Sequence, residues 1–427
     1  MTWRELTLGD CVTLQSGGTP SKANAAYWSG PVPWVSAKDM TTLRLQDTED
    51  HVSVEAIGNG TRLVQKGTLL AVVRGMSLAK EFRIVEVQRP MAFNQDVKAI
   101  IPRDGVDSRF ILYSLLARRE YVLGIADEAA HGTKRLQTDR FLAVPVSLPN
   151  LPMQRRIASI LSAYDDLIEN NTRRIAILEE MARRIYEEWF VRFRFPGHEQ
   201  VKMVESELGL IPDGWFPSPV GECVTVHRGK SYKSAELADE GGLPFVNLKC
   251  MERDGGFRKS GLKRFTGSYK ETQKVTTGDL VMAVTDMTQE RRIVARCGRV
   301  PRLGADFGVI SMDLVKLDAN KGVPKDFIYG MFRWSGFADE VKQHANGANV
   351  LHLSPDRIAE YRFALPPSDV AAQFAGLISP MLHQSDVLLE KNANLRATRD
   401  LLLPKLISGE LDVSTLSEPV REMEAAA

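Results

Sequence analysis

Short apolar runs broken by glycine and proline dominate the opening third of the chain: Cys11–Leu14, Pro33–Ser36, Thr68–Val73 and Phe82–Val87. Runs of this length and punctuation predict β-strands joined by tight turns. A helical pattern follows from Arg109 to about Ile125, then a polar loop with glycine (His131-Gly132-Thr133-Lys134-Arg135), a short apolar strand and an exit at Pro149. The same order returns later. Cys223–Val226, Pro244–Asn247, Asp279–Val284 and Arg291–Arg296 predict strands, Asp326-Phe327-Ile328-Tyr329 opens a helix, Asn346-Gly347-Ala348-Asn349 is the polar loop, and Pro366 marks the exit. The two stretches also match residue by residue. Gly9, Cys11, Val12, Thr13 and Gly17 have twins in Gly221, Cys223, Val224, Thr225 and Gly229, and Lys66–Ser77 aligns with Thr277–Thr288.

A different pattern follows each exit. From Pro152 to the break at Pro196-Gly197 there is no glycine or proline, and two largely apolar stripes recur every seven residues. One comprises Ile157, Tyr164, Asn171, Leu178 and Ile185; the other comprises Leu161, Ile168, Ile175, Ala182 and Trp189. This spacing predicts a long helix with a seam buried against another helix. After the second exit Phe374, Met381, Leu388, Leu395 and Leu402 repeat the period, but Gln384, Lys391 and Thr398 are polar where a companion stripe from Leu377 should be apolar. Pro380 predicts a kink or restart.

The expected fold class is therefore α+β: two similar strand-rich domains in tandem, each followed by a long helix, with the two helices pairing as an antiparallel coiled coil. The expected boundaries are a first domain at 1–150, a first helix at 151–197, a second domain at 205–368, a second helix at 369–412 and a flexible tail at 413–427. Asn171 either fixes the register of the helix pair or faces a wet gap. Forty-odd residues at about 1.5 Å each span roughly 60 Å, longer than one DNA turn of about 34–36 Å, so the helices are expected to act as a spacer. A duplicated chain suits a partner with its own two-fold symmetry, and duplex DNA is one.

Composition narrows the class. The 427 residues carry a net charge of +1, so no global field argues for nucleic acid, although Arg228–Arg302 holds a local excess of Lys and Arg. The four cysteines form no C-x-x-C pair, which disfavours zinc or a disulfide framework, and Cys11 and Cys223 are expected to be small buried hydrophobes. No segment approaches 18 uninterrupted apolar residues and no signal peptide opens the chain, so a cytoplasmic location is expected. Phosphate-binding, dinucleotide, nucleophile-elbow and zinc-protease motifs are missing, as is an Asn/Asp-Pro-Pro-aromatic tetrapeptide; Leu365-Pro366-Pro367-Ser368 fails at both ends. No catalytic residue and no metal site are expected in this chain.

Several local signatures resemble one family. They are Gly17-Gly18-Thr19-Pro20-Ser21, Val32-Pro33-Trp34-Val35, Phe93-Asn94-Gln95-Asp96, the helix end Tyr186–Gly197 and the second helix end Leu402–Leu411. In this order, on an internal duplication, the chain resembles the specificity subunit of type I restriction-modification systems over nearly its whole length. The resemblance implies a non-catalytic DNA-binding subunit whose two target-recognition domains each read half of a bipartite sequence. It also implies two methyltransferase subunits as partners, which bring S-adenosylmethionine, and a motor-nuclease (restriction) subunit where cleavage occurs. The second copy departs from the pattern, with Ile310-Ser311-Met312-Asp313 in place of the Asn-Gln step. Two other classes stay open: an adaptor bridging protein subunits without DNA, and an enzyme with two pseudo-equivalent sites.

For such a reader, Lys and Arg would position the phosphates while amide and forked side chains on loops read base edges. Candidates in the first domain are Thr19, Ser21, Lys22, Lys38, Arg74, Ser77, Lys80, Asn94, Gln95, Thr133, Lys134 and Arg135. In the second they are Arg228, Lys230, Ser231, Tyr232, Lys233, Asn247, Lys249, Thr285, Thr288, Gln289, Arg291, Arg292, Asn346 and Asn349. The aromatic cluster Trp189, Phe190, Phe193 and Phe195, with Leu403 and Leu406 at the second helix end, is expected either to dock a methyltransferase subunit or to pack beneath the chain's own domain.

Overall fold

The computed structural model describes residues 3–128 and 132–415. It divides into two compact units: Met1–Glu169 with Asn394–Ala427, and Asn170–Ala393. Each unit therefore takes part of both long helices. His131 and residues 416–427 of the expected tail lie outside the described residues, whereas Val413 is buried in the first core.

The first unit is built on a five-stranded sheet in the order Val12–Ser16, Val97–Pro102, Leu69–Val72, Ile84–Val87, Arg44–Leu45, antiparallel except for its last pair. All four residues of Leu69–Val72 and of Ile84–Val87 are buried, as expected when a sheet is covered on both faces. A four-stranded sheet (His51–Val52, Val32–Val35, Met91–Phe93, Arg62–Val64) stands beside it, and Arg4–Thr7 pairs with Pro145–Leu148 to close the unit. The predicted helix from Arg109 is two pieces, Ser108–Ala117 and Arg119–Gly124.

The second unit repeats this plan. Its four-stranded sheet runs Val224–Arg228, Leu314–Ala319, Leu280–Ala283, Cys297–Arg299, and Ala283 pairs with Leu314 as Val72 pairs with Val97. A five-stranded sheet, the helix Lys325–Trp334 and a closing pair (Phe216–Pro219 with Arg362–Leu365) complete it. Cys11 and Cys223 are buried at matching places, and all four cysteines are free.

The long helices are Leu151–Tyr186 and Ser368–Ser408. The Asn150 side chain caps the first by accepting from the N–H of Met153 at 3.0 Å. The helices pack together and run antiparallel. In the first unit Arg156 donates to the carbonyls of Val413 and Ser414, while Asp165, further along, receives Arg399. In the second, Asn171 donates to the Asn392 side chain at 2.9 Å, and Tyr186 packs on Phe374 with ring centroids 5.8 Å apart. The stripe Leu161, Ile168, Ile175, Ala182, Trp189 is buried throughout; in the other, Ile157 is buried and the rest are half-buried.

Two expectations for the second helix are corrected. Its companion stripe does not begin at Leu377, which is exposed, but one residue later: Ile378, Ser385, Asn392, Arg399 and Leu406. Three of these positions are polar, so an apolar period could not reveal them. Each is satisfied: Ser385 donates to the Met381 carbonyl, Asn392 pairs with Asn171 and Thr172, and Arg399 meets Asp165. The helix also does not restart at Pro380. Pro380 and Gly376, whose carbonyl loses its donor there, are both exposed, so water can take that carbonyl.

Asp165 is nearly buried and also accepts from the Tyr113 hydroxyl at 2.6 Å. Arg399→Met strands this carboxylate and should destabilise the first unit by about 3 kcal/mol. Arg302→Met breaks an exposed pair with Glu390 and should cost under about 1 kcal/mol. Urea unfolding of the two variants checks the contrast.

Candidate nucleic-acid interface

Two glycines with no room for a side chain position the polar loops. A Cβ on Gly17 would lie 2.3 Å from the Phe93 carbonyl, and one on Gly229 would lie 2.0 Å from that of Ser311. The loops after Val12–Ser16 and after Val224–Arg228 can thus cross directly over a tight turn between two central strands. In the first unit that turn is Asn94-Gln95-Asp96. The Thr19 hydroxyl bonds the Gln95 side-chain oxygen, and the Asp96 carbonyl accepts from the N–H groups of Val73 and Arg74. Arg74 and Gly75 in turn pair with Arg135 and Lys134, and Lys80 closes the short turn that begins at Ser77. Thr19, Gln95, Arg74, Ser77, Lys80, Lys134 and Arg135 are thereby brought to one place, with Thr133 beside them in sequence. Ser21 and Lys22 are exposed on the loop leading away from Thr19.

The second unit repeats the crossing with different side chains. Lys230 donates its N–H to the Ile310 carbonyl and its own carbonyl accepts from Met312, both at 2.8 Å. Val284 bonds the Asp313 carbonyl as Val73 bonds that of Asp96. A cleft of about 540 Å³ opens here, lined among others by Arg228, Ser231, Thr285, Met312 and His352. Beside it the loop after Asp286 is tied to the Gln343–Asn349 segment: Gln289 donates to the carbonyls of Gly347 and Ala348, and Arg291 to the Gln343 side chain and the Ala345 carbonyl. Asn346 exchanges backbone bonds with His352, and Asn349 is exposed. Met312 and His352 were absent from the sequence candidates because neither fits a phosphate or amide criterion; only the turn and the strand pair place them here. Elsewhere in the unit Lys259, Lys263 and Arg264 gather around a hollow of about 590 Å³, Lys233 is exposed on a loop and Lys249 is exposed in the short 3-10 turn Leu248–Cys250.

Asp286 anchors the second loop. Burial pushes its carboxyl up, but the N–H groups of Ile293, Thr288 and Val294 and the Thr288 hydroxyl outweigh that, and the net effect holds it below the ordinary carboxylate range. A lowered folded value means this anchoring is present above about pH 4 and is lost as pH falls through the folded value.

Several candidates serve the fold instead. Asn94, Asn247 and Thr285 are buried. Asn94 accepts from the Asp96 N–H and shapes the turn, Asn247 bonds Lys249 and Gly261, and the Thr285 hydroxyl reaches Asp313 at 3.3 Å. These polar groups are spent within the unit itself. The Tyr232 ring is half-buried on Phe245. Lys38 is held by Asp50 and Glu49, whose carboxylates raise its pKa, and Arg292 pairs with Asp254, so neither offers an uncompensated charge to a phosphate.

Of the two expectations for the aromatic cluster, packing beneath the chain's own domain is what the structure shows. The first helix ends in a π-helical turn, Glu187–Val191, and Phe193 takes a left-handed φ of 56°. This turns the aromatic side chains into the second core. Phe190 meets Phe374 at 4.8 Å, Phe193 and Phe195 meet Trp215 at 5.4 and 5.3 Å, and Trp189 is buried. Leu403 and Leu406 are buried in the first core. Phe190 and Phe193 remain half-buried against that core.

The chain shares its fold with a crystal structure of the type I restriction-modification S subunit from M. genitalium, at a TM-score of 0.59 over 95% of this chain and 96% of that one, with 14% identity. Residues 1–180 match the family model described as type I restriction modification DNA specificity domain. The type I restriction enzyme MjaIX specificity subunit of Methanocaldococcus jannaschii is 26% identical across 97% of this chain and 94% of its own. The EcoR124I/EcoR124II specificity subunit of Escherichia coli is 29% identical over 198 residues, 46% of this chain and 49% of its own. Residues 1–180 thus carry a type I DNA specificity domain, and the chain is a relative of type I specificity subunits along nearly its whole length. Among the described residues no helix is long and apolar enough to cross a membrane, and no group of three or more His, Cys, Asp or Glu is placed to hold a metal.

Trp189→Ala should lower the stability of the second unit by about 3–5 kcal/mol, seen as an earlier thermal transition, instead of acting only on subunit assembly. Asp286→Asn should increase hydrogen exchange across residues 287–294 at pH 7, and the difference from wild type should shrink as the pH drops below about 4.

Proposed function

We propose that this chain reads a bipartite sequence in duplex DNA, one half-site per unit, and serves as the scaffold for two methyltransferase subunits that carry out the chemistry. The observation that carries this reading is the repeated crossing of loop over turn. Both units hold it with equivalent backbone hydrogen bonds, yet the side chains it presents differ, with Thr19, Gln95 and Arg74 in one and Arg228, Ser231 and Met312 in the other. A common scaffold with dissimilar polar tips suits two readers of two different short sequences. Exposed Arg74, Arg135, Lys263 and Arg264 would meet phosphates, while the turn tips would meet base edges in the major groove.

In this reading the paired helices set the interval between half-sites, and their exposed faces, not the buried aromatic cluster, would receive the methyltransferase subunits. Those subunits would bring S-adenosylmethionine, and a restriction subunit would join them where cleavage accompanies methylation. This chain would position the DNA and contribute no reacting group.

Replacing residues 205–368 with the matching domain of a relative should change one half of the methylated motif and leave the other intact, as read by sequencing methylated DNA from a host that supplies the methyltransferase. An unchanged motif would overturn the proposal. Binding of the assembled complex to a motif-bearing duplex should weaken steeply between 50 and 200 mM salt, by roughly 10³-fold or more for six phosphate contacts.

A further inference from the structure

We infer that Met312 reads a thymine in the half-site of the second unit, through contact of its thioether side chain with the thymine 5-methyl group. Gln95 holds the equivalent place in the first unit. The inference rests on the DNA-reading role proposed above.

The equivalence comes from the backbone. Asn94 donates its N–H to the Val35 carbonyl at 2.9 Å and Ser311 donates to that of Val246 at 2.8 Å, while Asp96 and Asp313 each accept from a matching valine at 2.9 Å. The residue between these anchors is the tip of the turn. In the first unit it is Gln95, exposed, with its side-chain oxygen bonded by Thr19 and its NH₂ left to meet an acceptor. In the second it is Met312, 51% exposed at the rim of the 540 Å³ cleft.

Met312 is out of place by every local criterion. Tight turns favour Gly, Asn, Asp and Ser, and half of this large apolar side chain is in water with no core to fill. Arg228, Ser231, Thr285 and His352 line the cleft with polar groups and Val284, Val315, Leu353 and Pro355 with apolar ones, and among these apolar side chains and Met312 it is Met312 that stands exposed. Methionine cannot donate to the N7, O6 or O4 acceptors of a base edge. The apolar feature that the major-groove edge offers is the methyl of thymine.

Two further exposed methionines do not explain the difference between the units. Met76 and Met287 stand at matching places, one residue beyond Gly75 and Asp286, and are 71% and 65% exposed. An exposed methionine at this position is therefore common to both units.

The test uses the full chain assembled with its methyltransferase subunits and a duplex bearing the motif mapped from methylated DNA. Each thymine of the motif is replaced in turn by deoxyuridine, which removes only the 5-methyl group, and Kd is measured at one salt concentration. One replacement should weaken the wild-type complex roughly four-fold, the effect of about 0.8 kcal/mol for one methyl-sized apolar group. The Met312→Ala complex should be indifferent to that replacement, whereas Met312→Leu and Met287→Ala should retain the penalty. A full penalty in Met312→Ala, its loss in Met287→Ala, or a wild-type complex insensitive to every replacement would overturn the inference. Failure of the underlying reading looks different: the wild-type complex would then yield no methylated motif and no salt-dependent binding.

Discussion

A helix that carries one apolar stripe must bury it, and here each long helix does so along its length against the other helix and against strand-rich cores. The end of the first helix supplies Tyr186, Trp189 and Phe195 to the second unit's core, and the end of the second supplies Leu403, Leu406 and Ile407 to the first unit's. Neither core is complete without residues that the chain delivers from a distance. This demand explains the π-helical turn and the left-handed Phe193, an unfavourable conformation for a bulky residue that ring contacts with Trp215 offset. It also explains why an aromatic cluster that looks in sequence like a docking patch is interior packing.

Polar groups inside the helix seam give that packing its register. Apolar stripes alone tolerate sliding by a turn at modest cost, since one leucine replaces another. Asn171 with Asn392, and Asp165 with Arg399 and Tyr113, do not tolerate it, because a shifted register leaves buried polar atoms unpaired. Asn171 meets a partner in the seam and not a wet gap.

The same division between scaffold and variable tip governs the candidate interface. Backbone bonds and the two crowded glycines repeat in both units, so the position of the turn is independent of the side chain at its tip. Gln95 and Met312 can then differ without disturbing the fold. Asn94 and Thr285 are buried and hydrogen-bonded, Asn94 within the first turn and Thr285 to Asp313 of the matching one, so their polar groups serve the scaffold.

The duplication, the α+β class, the strand runs and the two long helices were all legible in the sequence, because each rests on local periodicity and on the residue types that turns and helices demand. Tertiary structure alone decided three things. The second seam stripe passes through Ser385, Asn392 and Arg399, which no apolar period marks; they are tolerated because partners from another part of the chain satisfy them. The fate of the polar candidates turned on burial: Asn94 and Gln95 are neighbours in sequence, and only the crossing of a distant loop puts one inside and the other at the surface. Finally, Met312 and His352 came to the cleft through strand pairing between residues far apart in the chain, and a contact of that range leaves no trace in local pattern.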